Sequence, residues 1–147
     1  MRVLVVSEDV KERQRATSAL ALRPDIEVEE AESAEQARRL LLEDRATYDV
    51  LVMDGDLQPR GGYAVLYDLR ARADLGQLEA TPSLVLASRE QDVWLGRWAG
   101  ANELLLKPVD PFVLARRVTA LEGAPLEPYG DKGSAAAQVA TALRERD

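Results

Sequence analysis

Histidine and cysteine are both absent from the 147 residues. Without cysteine there are no disulfides, thiolate metal sites or Cys nucleophiles. Without histidine there is no Ser-His-Asp machinery and no imidazole metal site, and the chain cannot carry a phosphohistidine of its own. Long hydrophobic runs are missing too, none approaching the roughly 18–20 residues of a membrane span. Met1 to Val6 lacks the basic start and long apolar stretch of a secretory signal, so a soluble cytoplasmic protein is expected. Positive charge is the scarcer sign: 19 Lys and Arg face 26 Asp and Glu, giving net charge -7 and a pI near 4.8. That balance argues against a broad grip on nucleic acid or an anionic membrane, and neither is expected as a partner.

What is present suffices for one domain, since the length fits the usual domain size of roughly 100–150 residues. Hydrophobic residues make up 46% of the chain and charged ones 31%. Short apolar runs alternate with longer amphipathic stretches. Val3 to Val6 reads as a strand ending in Glu8-Asp9, and residues 10 to 22 as a helix broken by Pro24. Ile26 to Ala31 alternates apolar with acidic residues, the period of a half-exposed strand. Ser33 with Gln36 forms a capping-box pattern before Ala34, Ala37, Leu40 and Leu41. Tyr48 to Met53 holds an apolar core without alternation, which suits a central parallel strand covered on both faces.

Further on, a helix follows the loop Leu57 to Gly62, with Tyr63, Leu66 and Leu69 on one face. Ser83 to Ala87 and Glu103 to Leu106 read as strands around a short helix, Asp92 to Ala99. Asp110 caps a last helix with Pro111 at its first position. This alternation predicts an α/β fold: a doubly wound, five-stranded parallel sheet with helices on both faces. The domain spans residues 1–122, and residues 123–147 read as a linker and a short C-terminal helical tail.

In an open parallel sheet, ligands collect beyond the carboxyl ends of the strands. The chain brings Ser7, Glu8 and Asp9 there, then Asp54, Gly55 and Asp56, then Ala87 and Ser88, then Lys107-Pro108. Crowded carboxylates repel unless a cation neutralises them. An oxygen-only donor set suits a hard ion such as Mg²⁺. A cation beside Lys107 would clamp a phosphoryl group, and an Asp can be its nucleophile. The residues themselves point to phosphoryl transfer onto a carboxylate.

Val5-Val6-Ser7-Glu8-Asp9, Asp54 after an apolar strand, Gly62 eight residues on, Gly100-Ala101 and Lys107-Pro108 together resemble the response-regulator receiver domain. The resemblance runs from Met1 to about Leu121 and implies the flavodoxin-like receiver fold of two-component phosphorelay signalling. It implies Asp54 as phosphoacceptor and Lys107 as the phosphoryl contact. It also implies Mg²⁺ held by Glu8, Asp54 and the Asp56 main-chain carbonyl, and a cis bond at Lys107–Pro108. The donor would be a histidine kinase or phosphotransfer protein, and the output a downstream protein target.

The departures matter as much. Ser7 stands where the family has its first acid, so any Mg²⁺ is held more weakly, and Ala87 stands where a hydroxyl normally receives the phosphoryl group. Ser88 replaces that hydroxyl only if the strand end twists, because side chains alternate along a strand. Leu104 occupies the place of a switching aromatic, Pro59 falls one place late, and the fourth helix is about two residues short. Trp94 and Trp98, at i and i+4, form either a face packed on the sheet or a partner surface. Arg38-Arg39 and Arg116-Arg117 read as solvated helix surface.

Three functions compete. The first is a stand-alone receiver phosphorylated on Asp54, with too little chain after residue 122 for a usual DNA-binding effector domain. The second is an atypical pseudo-receiver, a protein-interaction module independent of phosphorylation. The third is a small Mg²⁺-dependent phosphatase, suggested by the DxD of Asp54-Gly55-Asp56. No enzymatic activity is expected beyond self-phosphorylation and autodephosphorylation at Asp54, and a homodimer is left open.

Overall fold

The computed structural model describes residues 1–124. Its elements run β1 (Arg2–Val6), α1 (Val10–Ser18), β2 (Glu27–Ala31), α2 (Ala34–Arg38), β3 (Val50–Asp54), α3 (Gly62–Asp74), β4 (Ser83–Ala87), α4 (Val93–Ala99), β5 (Glu103–Leu106) and α5 (Pro111–Leu121). All neighbouring strands are parallel, in the order β2-β1-β3-β4-β5. This is the five-stranded, doubly wound parallel sheet that the alternation predicts. Most of the expected linker and tail, residues 125–147, lies outside the described residues.

The unbroken apolar strands bury both faces, because successive side chains point to opposite sides. Val3, Val5, Val50, Val52, Leu84 and Leu86 pack under α1 and α5, against Ala16, Leu114 and Val118. Leu4, Val6, Leu51, Met53 and Val85 face the other way, against Ala37, Val65, Leu66 and Ala99 of α2, α3 and α4. Each such Val or Leu contributes roughly 1.5–3 kcal/mol by leaving water. No helix among the described residues is long and apolar enough to cross a membrane.

Several boundaries differ from the periodicity. The helix expected to Leu22 ends at Ser18 and continues as a 3-10 turn, Leu20–Leu22, that buries Leu20 ahead of Pro24. The central strand begins at Val50 rather than Tyr48, whose ring is buried and whose hydroxyl donates to the Glu29 carboxylate. Three of the supposedly solvated arginines are paired, Arg39 with Glu35 at 3.4 Å on the exposed helix surface. Arg38 reaches Asp68 at 2.5 Å, and the largely buried Arg117 reaches Glu103 at 3.3 Å. Burial outweighs Arg117 at Glu103 and raises its carboxyl above the usual range.

The register sets up the functional rim. Val6 lies level with Met53, Asp54 with Leu86, and Ala87 with Leu106. The residues that follow β1, β3, β4 and β5 therefore emerge along one edge of the sheet.

Candidate functional site

Asp54 is the last residue of β3 and its side chain is only 5% exposed. Three donors converge on it. Lys107 Nζ donates to Oδ1 at 2.6 Å and the Asp56 main-chain N–H to the same oxygen at 2.9 Å. The Ser7 hydroxyl donates to Oδ2 at 2.7 Å. A buried carboxylate is tolerated only when paired and hydrogen-bonded, and this one is both.

Lys107 follows β5, and the bond to Pro108 is cis, as the resemblance implies; Gln58–Pro59 is cis as well. Its ammonium also donates to Asp56 Oδ2 at 2.9 Å, so one cation bridges two acids. Burial works to lower the Lys107 pKa, but the hydrogen bonds and charges of Asp54 and Asp56 outweigh it and hold the ammonium above its usual value. At Asp56 burial favours the neutral acid, and donation from Ser88 and Lys107 wins, holding the carboxyl below its usual value.

Ser88, just past the end of β4, lines the cleft, and its hydroxyl donates to the Asp56 carboxylate. Ala87, by contrast, is buried at 1% exposure and offers no hydroxyl. Glu8 accepts from the Gln58 main-chain N–H and so pins the loop after β3. Asp9 caps α1, accepting from Lys11 N at 2.9 Å and Glu12 N at 3.1 Å. Glu8, Asp54, Asp56, Gln58, Ser88 and Lys107 border a single open cleft of about 500 Å³. A larger cavity of about 670 Å³ lies at the opposite end of the strands, beside Asp49 and Pro82, and touches none of these residues.

Two features of this site escape a reading by spacing. Ser7 is seen there only as a missing acid, whereas its hydroxyl is a donor to Asp54. Asp56 is seen only as a carbonyl, whereas its side chain takes bonds from both Lys107 and Ser88. Tyr63 reads as core in the sequence, and it is buried. Its ring lies so close to Gly55 that a Cβ there would come within 2.8 Å of it.

The receiver resemblance implies Mg²⁺ in this cleft. Among the described residues, no three or more acidic side chains gather tightly enough to hold a metal ion unaided. The cleft still fits a hard ion in kind, since Glu8, Asp54 and the Asp56 carbonyl offer only oxygen. It falls short in charge, because Ser7 is neutral.

The tryptophans do not pack on the sheet. Trp94 is 62% and Trp98 44% exposed, and Trp98 pairs not with Trp94 but with Tyr67 of α3, stacked at 4.2 Å between centroids.

Residues 3–119 match the family model of the response regulator receiver domain. Uncharacterized response regulatory proteins from two Mycobacterium tuberculosis strains, CDC 1551 / Oshkosh and ATCC 25618 / H37Rv, are each 34% identical over 130 residues. Those alignments cover 85% of this chain and 93% of each relative. A crystal structure of a response regulator from Chloroflexus aurantiacus aligns with a TM-score of 0.69 and 27% identity, across 82% of this chain and 95% of that one. A family model spanning nearly all of the described fold, and relatives this similar over most of their length, place the chain in the response regulator receiver family, and so in two-component signalling opposite a histidine kinase.

Proposed function

We propose that the chain accepts a phosphoryl group on Asp54 from a partner's phosphohistidine and signals by protein–protein contact, as a cytoplasmic receiver with no further enzymatic activity. The observation that carries this reading is the Lys107 ammonium, 2.6 Å from Asp54 and 2.9 Å from Asp56 at the edge of an open cleft. A carboxylate oxygen of Asp54 forms the new O–P bond, and the P–N bond of the donor breaks with its electron pair going to the imidazole. Lys107 neutralises charge on the phosphoryl oxygens, because it is already held as an ammonium between two acids. Ser88, beside Asp56, supplies a hydroxyl to the same cleft. Glu8, Asp54 and the Asp56 carbonyl would hold Mg²⁺ only weakly, because Ser7 stands in place of an acid.

Output passes through the surface around Trp94 and Trp98, which is exposed and rich in the residue type that dominates interface hot spots. Intact-mass measurement after saturating phosphodonor tests the reading. One phosphoryl adduct in the native chain, lost in Asp54→Asn, supports it. No adduct, or an adduct that survives Asp54→Asn, refutes it.

One observation favours a second reading, a pseudo-receiver module. Ala87 and Leu104 are buried where the family's hydroxyl and aromatic sit, so the usual relay from site to surface lacks both parts. The same mass experiment separates the two, since the module acquires no phosphoryl group.

A further inference from the structure

The Ser7 hydroxyl stands in place of an acid, and its bonding pattern assigns it a task. It is fully buried at the end of β1. The Asp9 main-chain N–H donates to Ser7 Oγ at 3.2 Å, which occupies a lone pair of that oxygen. The hydroxyl has one proton to give. The Asp9 carbonyl lies 3.4 Å away and Asp54 Oδ2 only 2.7 Å, so the proton goes to the carboxylate. An acid at this position would add a second negative charge against Asp54 and require a cation between them. A serine removes that charge and adds a donor. The remaining compensation is already present in Lys107, which reaches both Asp54 and Asp56.

We infer that Ser7 is a positioning residue whose hydroxyl, together with Lys107, holds and neutralises Asp54 so that phosphoryl transfer proceeds without a divalent ion. The inference rests on Asp54 being the phosphoacceptor. The two carboxylate oxygens divide the work. Oδ2 accepts from the buried Ser7, while Oδ1 accepts from the Asp56 main-chain N–H and from Lys107, which borders the cleft. With acetyl phosphate as donor, an electron pair of Oδ1 forms the bond to phosphorus. The phosphorus–oxygen bond to acetate breaks, and its pair leaves with acetate. Oδ2 becomes the carbonyl oxygen of the acyl phosphate and goes on accepting from Ser7. No proton is needed at any point of the transfer.

The test compares the full chain, Ser7→Ala and Ser7→Asp, each incubated with acetyl phosphate in EDTA and in excess Mg²⁺. Adduct formation is followed by intact mass, and Mg²⁺ binding by isothermal titration. The native chain should form the adduct at similar rates in both solutions. Ser7→Ala should slow the reaction in EDTA by about tenfold or more, the loss expected when a hydrogen bond to a charged group disappears. Ser7→Asp should gain measurable Mg²⁺ binding and make the adduct depend on it. A native chain that needs Mg²⁺, or an unchanged rate in Ser7→Ala, overturns the inference while leaving Asp54 as acceptor. Absence of an adduct from the native chain in either solution overturns the phosphoacceptor reading and this inference with it.

Discussion

Replacing Lys107 with Met removes the ammonium and keeps most of the side-chain length, so the change isolates its charge. The partner it abandons, Asp54, has a side chain only 5% exposed, and Lys107 itself is 13% exposed. Breaking a buried pair from one side costs about 3–5 kcal/mol, since an uncompensated charge stays behind. Ser7 and the Asp56 N–H still donate to Asp54, which puts the expected loss near the lower end. Asp54→Asn removes the other charge and should cost far less, about 1 kcal/mol. The Asn oxygen still accepts from Lys107 and Asp56 N, its amide can donate to Ser7 Oγ, and Lys107 keeps Asp56. With neither charge present, the double variant should resemble Asp54→Asn alone, a coupling of about 3 kcal/mol. Urea unfolding followed by far-UV circular dichroism gives all four free energies, with tryptophan fluorescence checking two-state behaviour. Additive losses, or a Lys107→Met cost below about 0.5 kcal/mol, would refute the claim that this ammonium compensates a buried carboxylate.

The pH dependence has a definite sign on each side. Asp56 has a lowered pKa in the fold, so its stabilisation is present above the ordinary carboxyl value of about 4 and lost as pH falls through the lower folded value. Lys107 has a raised one, so its contribution is present below about 10.4 and lost as pH rises through the higher folded value. Asp56→Asn should therefore flatten the acid side of a urea-midpoint profile, and an unchanged acid side would contradict the assignment. Gly62→Ala should cost about 3 kcal/mol or more, because the new Cβ lands on the Asp54 carbonyl oxygen and 2.5 Å from Met53 Cγ. Gly76→Ala has open space around it and should lose only about 1 kcal/mol, from its φ of +75°; equal melting-temperature losses for the two would disprove the steric argument. Trp98→Ala should cost about 0.5–1.5 kcal/mol through the lost stack on Tyr67, whereas Trp94→Ala should fall within about 0.5 kcal/mol of the parent.

The parallel sheet and the position of the rim are legible because buried parallel strands leave a strong mark. Val50 to Met53 shows four apolar residues in a row, which suits a strand covered on both faces. The N-caps are equally legible, since Asp9, Ser33 and Asp110 each satisfy helix N–H groups over a fixed short span of sequence. Helix ends read less well, because Leu20 is buried through a 3-10 turn that breaks the 3.6-residue period. The least legible part is the site's wiring. Ser7 and Asp54 are 47 residues apart, and Lys107 and Asp56 are 51 apart, so no local pattern couples them. Spacing reveals that Ser7 lacks a charge, but only the register between β1 and β3 turns that loss into a hydrogen bond on the acceptor. The same residue therefore reads as a deficit in sequence and as a donor in space. If the donor role is real, the missing acid at residue 7 is no evidence that the site has decayed, and Ala87 and Leu104 alone carry the case for a pseudo-receiver. Those two bear on how a signal leaves the site, whereas Ser7, Asp54 and Lys107 bear on whether a phosphoryl group can arrive.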